Sequence, residues 1–319
     1  MEWLTIVLFL IVGLVLIVKG GDFFVDAASW IAEVSGIPKL IVGATVVSFA
    51  TTLPELLVST IAAGKGEVEL CIGNAVGSVI ANTAMIMAIS LICMPAIIKR
   101  KDYLNKSILL LAAIITLAIV SWDKSLGIVG SIILIIIFAL AMADNVRDAL
   151  ASMKAEREKE EKIKPTGKEI FINIVKFVLG VAGIIIGADL LVDNGQELAL
   201  MLGVSPRIVG ITVLAVGTSL PELLTTITAI AKKQHSLSVG NIIGANTFDL
   251  TLILSVSTFI YGGSLPVQTR VDMIVCLAVT VIALVPTLIT KKFTRIQGVI
   301  LFACYIAYIA LSCMNLLTF

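Results

Sequence analysis

The sequence predicts an all-α polytopic membrane protein of ten transmembrane helices, arranged as two inverted five-helix repeats. Three observations lead to this fold class: the hydrophobicity of the chain, the distribution of its basic residues, and an internal repeat. Hydrophobic residues make up 59% of the 319 residues and charged residues 14%, whereas soluble globular proteins carry about 25% charged residues. A soluble fold is therefore not expected.

Long apolar runs supply the predicted membrane spans. A helix needs about 20 apolar residues to cross a bilayer, and helices are expected because lipid cannot satisfy bare backbone groups. Six runs carry at most one charge each, namely 3–18, 108–120, 126–142, 170–186, 273–289 and 296–317. Four further spans contain glycines and come in two pairs, 37–63 with 69–98 and 204–231 with 237–261.

Lysine and arginine residues predict the orientation of these spans. If the first span begins outside, nineteen basic residues fall on the inner side and four on the outer side: Lys65, Lys124, Arg207 and Arg270. Basic residues concentrate on the cytoplasmic side of membrane proteins. The chain is thus predicted to be a multi-pass protein of the cell membrane with both termini extracellular.

A charged segment, 151–168, separates the two arms of the chain. It predicts three regions: a first five-helix repeat at 1–150, a cytoplasmic loop at 151–168, and a second, inverted repeat at 169–319. The arms align at a constant offset of 167 residues, with "IVGATVVSFATTLPELL" (41–57) over "IVGITVLAVGTSLPELL" (208–224). Residues 35–82 match their counterparts at eighteen of forty-eight positions. Because five spans is an odd number, the second arm enters the membrane from the opposite side.

The repeated motif places a proline and a glutamate at membrane depth. Pro54 and Pro221 cannot donate a backbone hydrogen bond and push against the preceding turn, so each helix is expected to open just before its proline. Open backbone inside a membrane is tolerated where it lines a cavity or is buried in protein. The freed carbonyl oxygens predict a cation site near the midplane, as in transporters with inverted repeats.

Polar side chains support this prediction. Thr51 and Glu55 lie four residues apart, hence on one helical face, and Thr218 with Glu222 repeats the pair. The next span carries a polar stripe, and its counterpart carries an acid; the stripe is Asn74, Ser78 and Asn82, and the counterpart is Asn241, Ala245 and Asp249. A lone acid at the bilayer centre costs about 2.5–3.5 kcal/mol, so three acids without a basic partner must be protonated or hold cations.

The predicted ligands are all oxygen atoms, which favours hard cations. Ca²⁺ accepts six to eight oxygens in loose geometry, whereas Mg²⁺ tends to keep its water. Ca²⁺ is therefore the favoured ion, and Na⁺, which is similar in size, is its expected companion.

The paired motifs "T[ST]LPELL…GNxxG" resemble the α-repeats of the sodium/calcium exchanger family, and the resemblance covers nearly the whole chain. It implies ten helices, a cytoplasmic loop after the fifth, and Na⁺-driven Ca²⁺ antiport by alternating access. It also implies that Glu55 and Glu222 share the Ca²⁺. The further ligands that it implies are the side chains of Thr51, Thr218, Ser78 and Asn82 and the carbonyls of Ser48 and Ala215.

Two positions depart from the family pattern. Ala245 replaces a serine that usually stands in the second copy, which removes one hydroxyl ligand. Asp249 stands opposite Asn82, and potassium-dependent relatives are acidic at this position. K⁺-dependent Na⁺/Ca²⁺ exchange and H⁺/Ca²⁺ exchange on the same site therefore remain alternatives, although Gly77 and Gly244 replace the glutamates of proton/calcium relatives.

Functions of other classes are less well supported by the sequence. An intramembrane hydrolase would use two acids and a water but needs no duplicated motif, so an enzyme is not predicted. A passive cation channel could also use acidic residues. The predicted partners are the transported Ca²⁺ and Na⁺ ions and the lipid bilayer, with no cofactor. The formal net charge of +1 argues against nucleic acid, and the chain is predicted to function as a monomer.

Overall fold

Helices make up most of the described residues in the computed structural model, as the apolar runs predict. The structure describes the following residues: 2–34, 51–98, 100–120, 122, 125–155, 165–231, 235–267 and 270–314. The helical content and the apolar length of the helices confirm the prediction of an all-α polytopic membrane protein.

The first half consists of three long helices and a shorter group around a π-helical segment, π1. Its elements are α1 (Glu2–Val34), α2 (Leu53–Gly64), α3 (Val68–Ala81), π1 (Asn82–Met87), α4 (Ala88–Cys93), β1 (Ala96–Ile97), α5 (Arg100–Val120), β2 (Ser125–Leu126) and α6 (Ile128–Ala155).

The second half has the same order of elements, with three more between its first long helix and the helix that carries Pro221. They are α7 (Gly167–Leu202), α8 (Pro206–Val209), π2 (Gly210–Leu214), α9 (Ala215–Thr218), α10 (Leu220–Ala231), α11 (His235–Phe248), π3 (Asp249–Ile253), α12 (Leu254–Tyr261), β3 (Leu265–Pro266), α13 (Arg270–Thr290), β4 (Lys292–Phe293) and α14 (Arg295–Cys313). Helices α10 and α11 begin and end 167 residues after α2 and α3, which is the offset of the sequence repeat.

Eight helices in the described part of the chain are long and apolar enough to cross a membrane. A ninth span would be the bent pair Pro206–Thr218 and Leu220–Ala231, which meet at 46°. Helix α2 is a shorter apolar helix, and the first part of the predicted span 37–63 lies outside the described residues.

Each motif proline lies in the first turn of a short helix. Pro54 is near the start of α2, and Pro221 is near the start of α10, directly after the bend. A proline is tolerated there because the first backbone N–H groups of a helix have no partner within it. The expected opening does not free the carbonyl of Ala215, which accepts a hydrogen bond from the Ser219 backbone N–H at 3.1 Å.

Helices α1 and α7 pack against each other through glycines. A Cβ atom added to Gly187 would lie 2.7 Å from the Gly13 carbonyl oxygen, and one added to Gly20 would lie 2.8 Å from the Gly180 carbonyl oxygen. The contacts run in opposite directions along the two helices, so α1 and α7 are antiparallel. The repeat equates Gly13 with Gly180 and Gly20 with Gly187. If each residue is replaced by its counterpart, the Gly13–Gly187 contact therefore becomes the Gly20–Gly180 contact.

Two short antiparallel ladders join the halves. Strand β1 pairs with β4, with Ala96 opposite Phe293, and β2 pairs with β3, with Leu126 opposite Leu265. Each ladder thus combines one strand from each half, and the repeat offset carries β2 onto β4.

Apolar side chains cover much of the surface, whereas three acids are buried in the interior. Glu55, Glu222 and Asp249 are at most 1% exposed, whereas Leu4 is 76% and Val129 is 73% exposed. An apolar surface around buried acids is expected for a chain whose surroundings are lipid and whose ionisable groups face the bundle interior.

Candidate cation site

Glu55 lies in the first turn of α2 and is almost fully buried. One carboxylate oxygen, Oε1, accepts a hydrogen bond from the Ser219 hydroxyl at 3.2 Å. The other oxygen, Oε2, has no hydrogen-bond partner among the described residues. Since Ser219 belongs to the second half, the first glutamate is held by a contact between the repeats.

Glu222 lies in the first turn of α10, the equivalent position of the second repeat. It is fully buried, and neither carboxylate oxygen makes a hydrogen bond of normal geometry within the described residues. The Thr51 side chain lies next to this carboxylate. The two glutamates thus occupy equivalent positions of the repeat, but only Glu55 accepts a side-chain hydrogen bond of normal geometry in the described residues.

Asp249 is the first residue of π3 and is also fully buried. Its carboxylate oxygens have no hydrogen-bond partner in the described part of the chain. Glu55 interacts electrostatically with both Glu222 and Asp249, and Asp249 interacts with Glu222. These three residues, here called the acid cluster, bring like charges together in the bundle interior.

No buried basic side chain in the described residues faces the acid cluster. Arg207 is the one buried lysine or arginine among them. Its Nε atom donates to Asp272 Oδ2 at 2.7 Å, and the Tyr308 hydroxyl donates to the other oxygen of Asp272. The Arg207 charge is therefore compensated within its own network, which the sequence did not predict.

Neutral oxygen atoms accompany the acids on the neighbouring helices. Ser78 and Asn82 are fully buried on α3 and at the start of π1, and the Ser78 hydroxyl and both polar atoms of the Asn82 amide lack partners among the described residues. Thr218 is buried, and its single hydroxyl hydrogen is shared between the Leu214 carbonyl at 3.0 Å and Asn74 Oδ1 at 3.2 Å. Ser48, predicted as a carbonyl ligand, lies outside the described residues.

The geometry limits how a cation can be held. The described residues contain no group of three or more His, Cys, Asp or Glu side chains at metal-binding spacing. Carboxylates alone therefore do not form a complete site in this conformation, and a bound cation would also need neutral oxygens. The chemistry of the available donors suits hard cations, because carboxylate, hydroxyl, amide and carbonyl oxygens surround the acids.

Two polar residues outside the predicted ligand set hold the site together. Asn74 on α3 donates from Nδ2 to the Ser59 hydroxyl at 2.9 Å and to the Glu55 carbonyl at 3.3 Å. Its Oδ1 atom accepts from the Thr218 hydroxyl at 3.2 Å. Ser219 is the second such residue, through its bond to Glu55. The repeated motif contains both residues, but only the folded chain shows their contacts between the halves.

Charged side chains join α7 to other elements at both ends of the α1–α7 pair. Lys65, which follows α2, contacts Asp189 at 2.6 Å and Asp193 at 2.7 Å on α7. Partial burial lowers the pKa of Lys65, but the hydrogen bonds to these two aspartates outweigh it, so the pKa is raised overall. In the opposite half of the pair, Lys176 on α7 contacts Asp26 on α1 at 2.9 Å.

A cavity of about 520 Å³ opens beside α1 and α10. Its walls come from the second half of α1, from Thr51 and from α10; they are Val18, Gly21, Asp22, Phe23, Val25, Asp26, Thr51, Pro221, Leu224 and Thr225. The cavity therefore connects the surface near two aspartates with the threonine that lies next to Glu222.

The chain is similar to characterised and uncharacterised membrane proteins over nearly its whole length. The model of the family described as "Sodium/calcium exchanger protein" matches residues 5–144 and 172–314. The inner membrane protein YrbG of Escherichia coli is 33% identical over 95% of both chains. The sodium/calcium exchanger MaX1 of Methanosarcina acetivorans is 29% identical over 95% of this chain and 97% of its own length.

A solved structure agrees in fold. The sodium-calcium exchanger NCX_Mj, in a crystal soaked with Na⁺ and Sr²⁺, matches with a TM-score of 0.68 and 30% identity. The match covers 96% of this chain and 98% of that one, so the similarity in fold includes both halves.

Proposed function

The chain belongs to the sodium/calcium exchanger family, and on this basis we propose that it exchanges Na⁺ for Ca²⁺ across the cell membrane by alternating access. It is a transporter rather than an enzyme, and Ca²⁺ and Na⁺ are its transported ions. The ions would bind near the midplane in one site formed by both halves. The proposed ligands are the acid cluster, the side chains of Thr51, Thr218, Ser78 and Asn82, and the carbonyls of Ser48 and Ala215.

One observation carries this proposal: buried carboxylates from equivalent positions of the two halves interact electrostatically with each other and with a third buried acid, and no buried basic side chain among the described residues compensates them. Each uncompensated acid at membrane depth costs about 2.5–3.5 kcal/mol on the lower published scale. A bound cation would offset that cost, and its departure would restore it. A site of this kind holds ions reversibly, as a carrier requires.

The arrangement of the halves supports ten spans in two inverted repeats. Helices α1 and α7 occupy equivalent positions in the repeat and are antiparallel, and their glycine contacts are exchanged by the offset. The two ladders also combine strands from both halves. An inverted repeat gives the site two equivalent approaches, one from each side of the membrane. We propose the divisions 1–150, 151–168 and 169–319 on the same grounds.

Two features of the described residues support alternating access. The cavity beside α10 reaches towards Thr51, and the end of α2 is held to α7 by the ion pairs of Lys65. Lys232, the counterpart of Lys65, lies outside the described residues. In the proposed cycle, ions would approach the site through the cavity, and the Lys65 end would be closed. From the distribution of basic residues, Lys65 and both termini would be extracellular, the 151–168 loop would be cytoplasmic, and the chain would act as a monomer.

Asp249 is the residue on which the alternative exchange mechanisms depend. Both of its carboxylate oxygens lack hydrogen-bond partners among the described residues, so this acid would bind a second cation or carry a proton. K⁺-dependent Na⁺/Ca²⁺ exchange and H⁺/Ca²⁺ exchange are therefore the alternatives, and a passive cation channel is more remote.

The test is Ca²⁺ uptake into proteoliposomes under an imposed Na⁺, K⁺ or H⁺ gradient, applied one at a time. We expect saturable uptake that requires the Na⁺ gradient. Replacing Glu222 by Gln removes a charged ligand, and we expect uptake at subsaturating Ca²⁺ to fall by at least about tenfold. Glu197→Gln on the exposed surface of α7 is the matched control and should retain uptake.

The other outcomes separate the alternatives. Uptake that requires K⁺ or H⁺ in place of Na⁺ would identify the corresponding exchanger. Flux that continues without any counter-ion would indicate a channel. Equal uptake by the Glu222→Gln and Glu197→Gln variants would remove Glu222 from the site.

A further inference from the structure

Asn74 and Asn241 occupy equivalent positions of the repeat but make different contacts. The offset of 167 residues equates Asn74 with Asn241, Glu55 with Glu222, and Ser59 with Thr226. Asn74 lies on α3 beside α2, and Asn241 lies on α11 beside α10. The two asparagines can therefore be compared atom by atom.

Asn74 is fully bonded in this structure. Its amide nitrogen donates to the Glu55 carbonyl and to the Ser59 hydroxyl, which fixes the first two turns of α2 against α3. Its amide oxygen accepts from Thr218, the last residue of α9. One side chain thus connects α2 with the second half at the point where α9 ends.

Asn241 makes no corresponding bonds from its amide nitrogen. Its Nδ2 atom is buried without a hydrogen-bond partner among the described residues, and so is the Thr226 hydroxyl. The Glu222 carbonyl and the Thr226 hydroxyl, which are the equivalents of the partners of Asn74, both belong to described residues. Leaving a buried donor unpaired is costly, so a conformation in which Asn241 regains these partners must compete with this one.

This asymmetry coincides with the two ends of the molecule. Helix α2, tied by Asn74, ends at Lys65, whose ion pairs hold it to α7. Helix α10, not tied by Asn241, lines the cavity through Pro221, Leu224 and Thr225. The bonded half-helix is thus the one that is ion-paired to α7, and the unbonded half-helix is the one that lines the cavity.

We propose that Asn74 and Asn241 are positioning residues that hold the two glutamate-bearing half-helices in turn. In the conformation described, Asn74 holds α2 and Asn241 has released α10. In the opposite conformation, Asn241 bonds to the Glu222 carbonyl and Thr226, and Asn74 releases α2. This inference rests on the proposed alternating access, and it assigns to the asparagines the role of biasing which side is open.

The two asparagines then predict opposite effects for the same substitution. Asn→Leu keeps the branched shape of the side chain and removes the amide donors and acceptor. Loss of one net hydrogen bond changes a two-state equilibrium by about fivefold. Asn74→Leu therefore shifts the population away from the conformation described here, and Asn241→Leu shifts it towards that conformation.

Hydrogen–deuterium exchange of the full-length protein in lipid nanodiscs measures this shift. For Asn74→Leu we expect faster exchange in α2 peptides and slower exchange in α10 peptides than in the wild type. For Asn241→Leu we expect the reverse. Ser59→Ala and Thr226→Ala remove only one partner each, and they should produce smaller changes in the same directions if either leucine variant fails to fold.

Sided transport provides a second readout. The ratio of half-saturating Ca²⁺ concentrations on the two membrane faces should move in opposite directions for Asn74→Leu and Asn241→Leu. The inference is overturned if both variants change hydrogen–deuterium exchange in α2 and α10, or the ratio of half-saturating Ca²⁺ concentrations, in the same direction. The asparagines would then be only structural. The hydrogen–deuterium exchange pattern is measured without ion flux. Absence of Na⁺-driven Ca²⁺ uptake by the wild type would therefore count against the proposed function alone.

Discussion

Ser78 and Ala245 show how a single hydroxyl distinguishes the two halves of the site. They occupy equivalent positions of the repeat, and both are buried. The Ser78 hydroxyl has no hydrogen-bond partner among the described residues, so it is available to a cation. Ala245 lies one helical turn before Asp249 and offers no oxygen there. The second half therefore has one neutral ligand fewer on this face.

Restoring that hydroxyl tests its role. For Ala245→Ser we expect the Na⁺ concentration that half-activates Ca²⁺ uptake to fall by about fivefold, because one added neutral ligand is worth about one net hydrogen bond. The half-saturating Ca²⁺ concentration should change less, because the glutamates supply the negative charge of the proposed Ca²⁺ site. Na⁺ and Ca²⁺ titrations of uptake into proteoliposomes measure both quantities.

The matched control adds the same hydroxyl elsewhere on the polar span. Val76 is buried on α3 and points away from the face that carries Asn74, Ser78 and Asn82, because residues two apart on a helix do not face the same way. Val76→Thr should leave the Na⁺ titration unchanged. A Na⁺ curve for Ala245→Ser that superimposes on that of the wild type would show that Ala245 does not face a Na⁺ site.

At this scale the sequence predicted the residue types of the site better than their contacts. Glu55 and Glu222 could be found because a proline and an acid recur together in two apolar spans. The role of Ser219 could not, because its bond to Glu55 depends on how the halves pack. Nor could the sequence predict that Asn74 would be bonded and Asn241 unbonded, since both stand in the same "GN" motif.

At the scale of elements, the α1–α7 pair depends on glycines that allow backbone contact. A Cβ atom on Gly20 would lie 2.8 Å from the Gly180 carbonyl oxygen and 2.9 Å from the Ile184 backbone nitrogen. Backbone atoms cannot move aside as a flexible side chain can. We expect Gly20→Ala to destabilise the protein by about 1–3 kcal/mol, the usual cost of overpacking, and to reduce ion exchange.

The neighbouring glycine provides the control for this prediction. A Cβ atom on Gly21 would have no atom within 4 Å, and alanine is about 1 kcal/mol more favourable than glycine inside a helix. Gly21→Ala should therefore be neutral or slightly stabilising. Thermal unfolding in detergent micelles compares the variants, and equal melting temperatures for Gly20→Ala and Gly21→Ala would contradict close packing of α1 on α7.

Element positions were more predictable than element lengths. The repeat offset correctly relates α2 to α10 and α3 to α11. Helix α7 starts before its apolar run because Thr166 and Glu169 form a capping box, in which each side chain accepts a hydrogen bond from the other residue's backbone N–H. The π-helical segments at Asn82 and Asp249 were not predicted, because apolar periodicity does not show a local widening of the helix.

At the scale of the whole molecule, the duplication was readable from the sequence, but the difference between the two ends was not. Nearly identical motifs would give two identical ends if each half folded in the same environment. Among the described residues, however, Asn74 bonds to α2, whereas Asn241 makes no such bond to α10, and a cavity lies beside α10. This difference depends on how the two halves pack together and therefore cannot be read from either motif alone.

Lys65 and Lys176 both form ion pairs that involve α7. They allow a test of whether the ion pairs of Lys65 hold its end of the molecule closed. Lys65 connects the end of α2 to α7, whereas Lys176 connects α7 to α1 within the α1–α7 pair. Only the first contact must break if the pair moves relative to α2. We therefore expect Lys65→Gln to favour opening at this end by up to about fivefold, the value of a partly exposed ion pair.

Lys176→Gln is the matched control. The ion pair that it removes joins α7 to α1, so this pair would stay intact if the two helices moved together. The half-saturating Ca²⁺ concentration on the Lys65 face should decrease for Lys65→Gln and stay unchanged for Lys176→Gln. The raised pKa of Lys65 means that its contribution is complete below the ordinary lysine pKa and is lost as the pH rises through the raised value. The difference between wild type and Lys65→Gln should thus be constant across the neutral pH range. A difference that disappears there, or equal shifts in both variants, would show that the ion pairs of Lys65 do not hold this end closed.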